Sequence, residues 1–200
     1  MTFRTLTRTL FGAALAMTLA GCVDVAVDVE LDSLATATAT LTQVMTSDFY
    51  AMKGMSAEEA EAMPADAFCS EGELTENNDG SATCTIVEQG AFADLDLGQD
   101  QGGVTFTPAG TGLVRIALAT ADLQAEIGEG EPLDAEMQQL VEAFFTGRTF
   151  TLRFAGEEVT DTNMELSEDG SSAGQTISLV DLVNGEADLP DEFYAVVRAP

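Results

Sequence analysis

Val23-Asp-Val-Ala-Val-Asp-Val-Glu-Leu31 places valine or leucine at every second position, with an acid or alanine between them. A period of two is the pattern of a strand with one face in a core and the other in water. Asp32-Ser33 follows as a turn, and Ala35–Leu41 then alternates alanine or leucine with threonine. The two stretches predict a first antiparallel hairpin. Further along, strands are expected near Ala82–Gln89, over Val104–Thr107 and Leu113–Ala119 around the turn Pro108-Ala-Gly-Thr-Gly112, and over Thr149–Phe154, Thr176–Val180 and Phe193–Arg198.

Helical spacing interrupts this β pattern in two places. Asp48–Lys53 and Ser56–Met63 read as short helices, the second opened by the capping box Ser56-Ala-Glu-Glu59 and stopped before Pro64. A longer helix is expected from Pro132 or Asp134. Its apolar residues Met137, Leu140, Val141, Phe144 and Phe145 recur at i, i+3, i+4, i+7 and i+8, and Gly147 supplies the stop. No internal repeat and no long linker divides the chain. The expected fold is α+β: a curved antiparallel β-sheet with two to three helices packed on one face, as a single domain. At 200 residues, with 46% hydrophobic composition, the chain is large enough to bury about 70% of its unfolded surface.

N-terminal to the first strand, residues 1–21 carry Arg4 and Arg8, no acid, and the apolar run Leu10–Leu19. This is the layout of a secretory signal peptide, too short for a membrane-spanning helix. It ends in Leu19-Ala20-Gly21-Cys22, which resembles the lipobox of bacterial lipoproteins. The resemblance implies that residues 1–21 are removed and that Cys22 is lipidated, leaving 22–200 as one lipid-anchored extracytoplasmic domain. Each buried methylene contributes about 0.8 kcal/mol to membrane affinity, so two or three acyl chains anchor stably. Val23 stands where many lipoproteins retained in an inner membrane carry aspartate. In a cell with two membranes this points to the outer one, facing the periplasm.

Three cysteines are an odd number, but lipidation of Cys22 leaves Cys69 and Cys84 as a pair in an oxidising compartment. The turn signal Glu76-Asn-Asn-Asp-Gly80 between them predicts a hairpin that brings the sulfurs together. The resulting disulfide is expected to be structural, since the separation is not that of a Cys-x-x-Cys redox site.

Charge and composition narrow the function. Removal of residues 1–21 leaves five bases (Lys53, Arg115, Arg148, Arg153 and Arg198) against 35 acids, a net −30. Such a surface has nothing with which to neutralise phosphates, so nucleic acid is not an expected partner. It is also repelled by anionic headgroups over about a Debye length, which leaves the acyl anchor to hold the protein on the membrane. An acidic surface keeps an exported protein soluble, and that reading is preferred to a specific cation-binding role. The absence of histidine removes Ser-His and Cys-His nucleophile pairs and imidazole metal sites.

The order of segments carries a further resemblance. The lipobox cysteine leads directly into an alternating valine strand, then an acid-rich helical stretch, a glycine-turn hairpin, Phe154-Ala-Gly-Glu-Glu-Val-Thr-Asp-Thr-Asn163 and Gln175-Thr-Ile-Ser-Leu-Val-Asp-Leu182. This arrangement, over most of the mature chain, resembles the LppM-like lipoproteins. The resemblance implies a curved antiparallel sheet gripping helices and a lipid or glycolipid role. The family's Phe-Pro-Gly is Phe154-Ala155-Gly156 here. Many members also have a C-terminal membrane helix, whereas this chain ends on a polar-flanked strand at Pro200.

Four local patterns bear on chemistry. Gly170-Ser-Ser-Ala-Gly174 fits a nucleophile elbow in letters, but Ser172 falls in an expected hairpin turn and no histidine is available to serve it. Asp94-Leu-Asp-Leu-Gly-Gln-Asp100 has the look of a calcium loop. It departs from the EF-hand pattern at Gly98, Gln99 and Thr105, and Leu95 and Leu97 fit an inward apolar face. Carboxylate pairs of the glycosidase kind arise by chance among so many acids. Met45, Met52, Met55 and Met63 lie beside Phe49 and Tyr50. They read first as core, second as an adaptable lid over a lipid-like ligand, and third as thioether ligands for Cu(I). No enzyme, metal or cofactor is expected. The expectation is a non-catalytic binding module for lipid or glycolipid, with Phe49, Met52 and Met55 as ligand-contacting residues. The alternative is an envelope structural or assembly protein that engages a protein partner through its sheet edge or acidic face.

Overall fold

A computed structural model describes residues 23–56, 68–97, 103–121, 139 and 142–200. The valine strand is β1 (Val23–Leu31), and it pairs antiparallel with β2 (Thr36–Met45) from Val23↔Met45 to Leu31↔Ala37. The register explains the alternation. Val25, Val27, Val29 and Leu31 lie opposite Gln43, Leu41, Ala39 and Ala37, so the inward face mixes large and small side chains, all of them buried. Ser33 closes the turn, its Oγ accepting from the amides of Ala35 and Thr36 at 3.2 and 3.1 Å.

Outward from this hairpin, β2 pairs with β4 (Ala82–Ala91), and β4 with the short β3 (Glu73–Glu76). On its other side β1 meets β7 (Thr149–Ala155), and that pairing is parallel, from Val25↔Phe150 to Glu30↔Ala155. The expected all-antiparallel sheet is corrected here, because β1 and β7 belong to distant parts of the chain and are not joined by a hairpin. The acids of β1 hold this pair in register. Arg148 Nη1 donates to Asp24 at 2.8 Å, and Arg153 Nη1 reaches both oxygens of Asp28 at 2.9 and 2.7 Å. β10 (Ser172–Ser178) follows β7, and β9 (Glu165–Leu166) completes a seven-stranded sheet ordered β3-β4-β2-β1-β7-β10-β9.

Among the described residues, the element packed on the buried face of this sheet is a second sheet. It is four-stranded, ordered β5-β6-β11-β8, and comprises β5 (Val104–Gly110), β6 (Leu113–Ala119), β8 (Glu158–Thr162) and β11 (Glu192–Arg198). Val114, Ile116 and Leu118 from β6, Phe193, Ala195 and Val197 from β11, and Val159 from β8 meet Val29, Leu41, Leu152 and Phe154 in one continuous core. Full burial of each such valine, leucine, isoleucine or phenylalanine is worth about 1.5–3 kcal/mol. The single domain built on a large sheet is as expected; it is richer in strand than the α+β expectation, and in the described residues a second sheet covers the first, with Leu179 and Leu182 joining the same core.

The sheets are sewn together where β7 passes into β8. Gly156 donates to the Ser171 carbonyl at 3.0 Å and Glu157 to the Arg198 carbonyl at 2.9 Å. A Cβ on Gly156 would lie 2.5 Å from Val197 Cγ1 and 2.8 Å from the Arg198 carbonyl oxygen. Glycine is required there because two backbones cross too closely for any side chain.

Two helices are described with their full ranges, α1 (Ser47–Ser56) and α2 (Leu179–Val183). The expected strand Thr176–Val180 is corrected: the strand stops at Ser178 and the chain turns into α2. Ile177 and Leu179 mimic alternation, but Leu179 and Leu182, both buried, continue at helical spacing. The expected helix Ser56–Met63 lies outside the described residues beyond Ser56. Of the helix expected from Pro132 or Asp134, residues 139 and 142–145 are described as helical, and Gly147, with φ of 77°, ends it.

Candidate functional site

The register sorts the connections by end. Val23 pairs with Met45, Asp24 binds the backbone amide of Thr149 at 2.8 Å, and Ser178 pairs with Thr149. Therefore α1, which leaves β2 after Met45, the helical residues 142–145 that lead into β7, and α2, which leaves β10, all gather at the end where β1 begins. That end follows directly on Cys22, which itself lies outside the described residues.

Phe49 of α1 is half-buried, and its ring meets Phe144 edge-on with centroids 5.6 Å apart. Phe145 packs against the core. The structure thus ties Phe49 to the segment before β7. Met52 and Met55 lie on α1, and their side chains are outside the described residues. Tyr50 donates to Glu76 Oε1 at 2.7 Å, fastening α1 to β3, and this bond with the neighbouring carboxylate raises the tyrosine pKa above its ordinary value.

Cys69 and Cys84 are disulfide-bonded, with Cα atoms 5.4 Å apart. Cys84 is fully buried beside Gln43 on the same half of the sheet. Between them the turn predicted from Glu76-Asn-Asn-Asp-Gly80 closes on Asp79, which accepts from the amide and hydroxyl of Ser81 at 3.0 and 2.6 Å. Those bonds hold its carboxyl below the usual carboxylate range.

A cleft of about 600 Å³ opens at the seam between the sheets, toward the same end. One wall is the outer edge of β10 from Gln175 to Ser178, the other is the segment 186–190, and Asn163 and Phe193 also line it. Asp181, Glu186 and Asp188 supply carboxylates, and no lysine or arginine lines it. The sequence reading did not assemble this recess, because its parts come from well-separated stretches with no shared pattern.

The remaining sequence motifs are placed as follows. Ser172 is buried and opens β10, its amide donating to Ser167 Oγ at 3.1 Å. The turn before it is organised by Asp169, whose carboxyl accepts from the Ser171 amide and from the Ser167 and Ser171 hydroxyls. Those donors lower its pKa to about 2. In the Asp94 stretch, Leu95 and Leu97 are buried in the core, in line with the inward reading, and residues 98–102 lie outside the described set. Among the described residues no cluster of acids and cysteines is spaced to hold a metal ion. No described helix is long and apolar enough to cross a membrane.

No family model matches the chain, and no curated protein does. Among solved structures, it is similar to the NMR structure of the folded domain of the Mycobacterium tuberculosis LppM protein. The identity is 13%, the match covers 90% of this chain and 91% of that one, and the TM-score is 0.47.

Proposed function

We propose that the chain is a cell-envelope lipoprotein, anchored through Cys22, whose folded body is a non-catalytic binding module for lipid or glycolipid at the membrane surface. The observation that carries this reading is the gathering of α1, the 142–145 helical turn and α2 at the end of the sandwich where β1 begins. The space between the sheets is filled by side chains of both, so a ligand is taken at this end rather than in the interior. The half-buried Phe49–Phe144 pair offers apolar surface there. Its position beside the anchor lets a lipid move between bilayer and protein over a short path.

The test is native mass spectrometry of residues 23–200, exported so that Cys69 and Cys84 oxidise. Added mass of several hundred daltons that extracts into organic solvent, and that is lost in Phe49→Ala, supports the reading. A protein that stays apo after incubation with membrane lipids overturns it and turns attention to a protein partner.

A further inference from the structure

Strand β10 is partnered along its whole length on one side and along only part of it on the other. Its ladder with β7 runs from Ser172↔Ala155 to Ser178↔Thr149. Its ladder with β9 holds Ala173↔Leu166 and Gly174↔Glu165 and, among the described residues, goes no further. Leu179 N donates to the Arg148 carbonyl, whereas the Ser172 carbonyl accepts from Ser167 N. Odd-numbered backbone groups therefore point to β7 and even-numbered ones away from it. Thr176 accordingly turns its N–H and C=O toward the cleft and Ser178 its N–H, while the Ser178 carbonyl is committed to the first turn of α2, of which Ser178 is the N-cap. The Thr176 carbonyl is met there by the side-chain amide of Gln175 at 3.3 Å, a local bond of the kind an incoming strand replaces.

The opposite wall is fixed in place. Glu186 N and Ala187 N both donate to the Asp181 carbonyl, Thr120 N donates to the Asp191 carbonyl, and the Thr120 hydroxyl donates to the Pro190 carbonyl. Ile177 and Phe193 give the recess a buried apolar floor. Its charge is one-sided, with Asp181, Glu186 and Asp188 in the lining. The four described arginines are committed elsewhere: Arg115 to Glu192, Arg148 to Asp24, Arg153 to Asp28 and Arg198 to Glu158.

We propose that this edge receives an extended, lysine- or arginine-bearing segment of a partner polypeptide as an added strand. The segment's backbone pairs with Thr176 and Ser178 at the strand spacing of about 4.8 Å. Its apolar side chains face Ile177 and Phe193, and its cations face the three acids. A second copy of this chain is disfavoured as occupant, because edge-to-edge pairing brings both sets of acids together on a chain of net −28. The inference does not rest on the lipid reading and survives its failure.

The probe is a short fluorescent peptide in which lysine alternates with valine, titrated into the mature chain at low salt and followed by anisotropy and amide hydrogen exchange. Saturable binding with new protection at Thr176 and Ser178 is expected. The same peptide N-methylated at alternate residues should not bind, since it lacks the ladder donors while keeping its charge. Asp181→Asn combined with Asp188→Asn, both at exposed positions, should weaken binding about tenfold. Equal binding of the N-methylated peptide, or of one with glutamate in place of lysine, would overturn the proposal. So would absence of binding, or a concentration-dependent dimer that protects the same two amides.

Discussion

At the end of the sandwich marked by Leu31, four reversals are tight turns (Asp32–Ala35 between β1 and β2, Thr111 and Gly112 between β5 and β6, Gly156 into β8, and the Asp169 turn into β10), and the one longer connection that leaves there follows Ala91 of β4. At the end marked by Val23, long connections leave β2, β6 and β10 and carry the helical segments and one wall of the cleft, beside the tight Asp79 turn between β3 and β4. Buried backbone must be paired, and at the Leu31 end the turns satisfy it with their own side chains and close contacts between the sheets. The Val23 end lies next to the residue expected to hold the lipid. The proposed reading places recognition at the Val23 end.

Substitutions can break this contrast, and the largest effect is expected in the core near the closed end. Phe154 is fully buried between β1 and β10. Phe154→Ala should cost about 3–5 kcal/mol in denaturant unfolding, an outcome incompatible with a loosely packed interior. Next comes the disulfide, which closes a loop of sequence separation 15. Its reduction should remove about 3 kcal/mol, read as a lower denaturation midpoint with β-sheet circular dichroism retained in buffer. Phe49→Ala sharpens the contrast in the other direction. It should cost about 1 kcal/mol of stability yet abolish lipid retention, measured on the same preparation by melting and by mass.

The smallest effect concerns acid. Asp169 has its folded pKa lowered to about 2 from 3.8, so its turn contributes stability that is complete above the unfolded value and is lost as pH falls through about 2. Asp169→Asn should therefore lie below the native chain in melting temperature near neutral pH. The gap should narrow between about pH 4 and pH 2. A constant gap across that window would show that the carboxylate's charge plays no part in holding the turn.

Much of the sheet was legible because its strands bury one face. β1, β2, β4, β6, β7 and β11 each announce themselves by alternation, and the observed β1 and β2 bounds differ from the expected ones mainly in β2 running on to Met45. β3 could not be seen, since Glu73–Glu76 is exposed throughout and shows no period. β8 and β9 are short and rich in acids, and their membership is decided by partners far away in sequence. The parallel β1–β7 pair left one usable trace, Asp24 and Asp28 spaced along one strand and Arg148 and Arg153 just before and within the other. Reading it required knowing which acids, among so many, have partners. The disulfide was legible by elimination of the lipidated cysteine, whereas the cleft was not, because residues 163, 175–178, 181, 186–190 and 193 converge only through tertiary packing.

The most direct measurement is hydrogen exchange on the lipidated protein in vesicles, with and without envelope glycolipid. Added protection is expected in Ser47–Ser56 and in 142–147, with the turns at Asp32–Ala35 and Gly156 unchanged. Protection spread evenly over both ends, or confined to the Leu31 end, would contradict it.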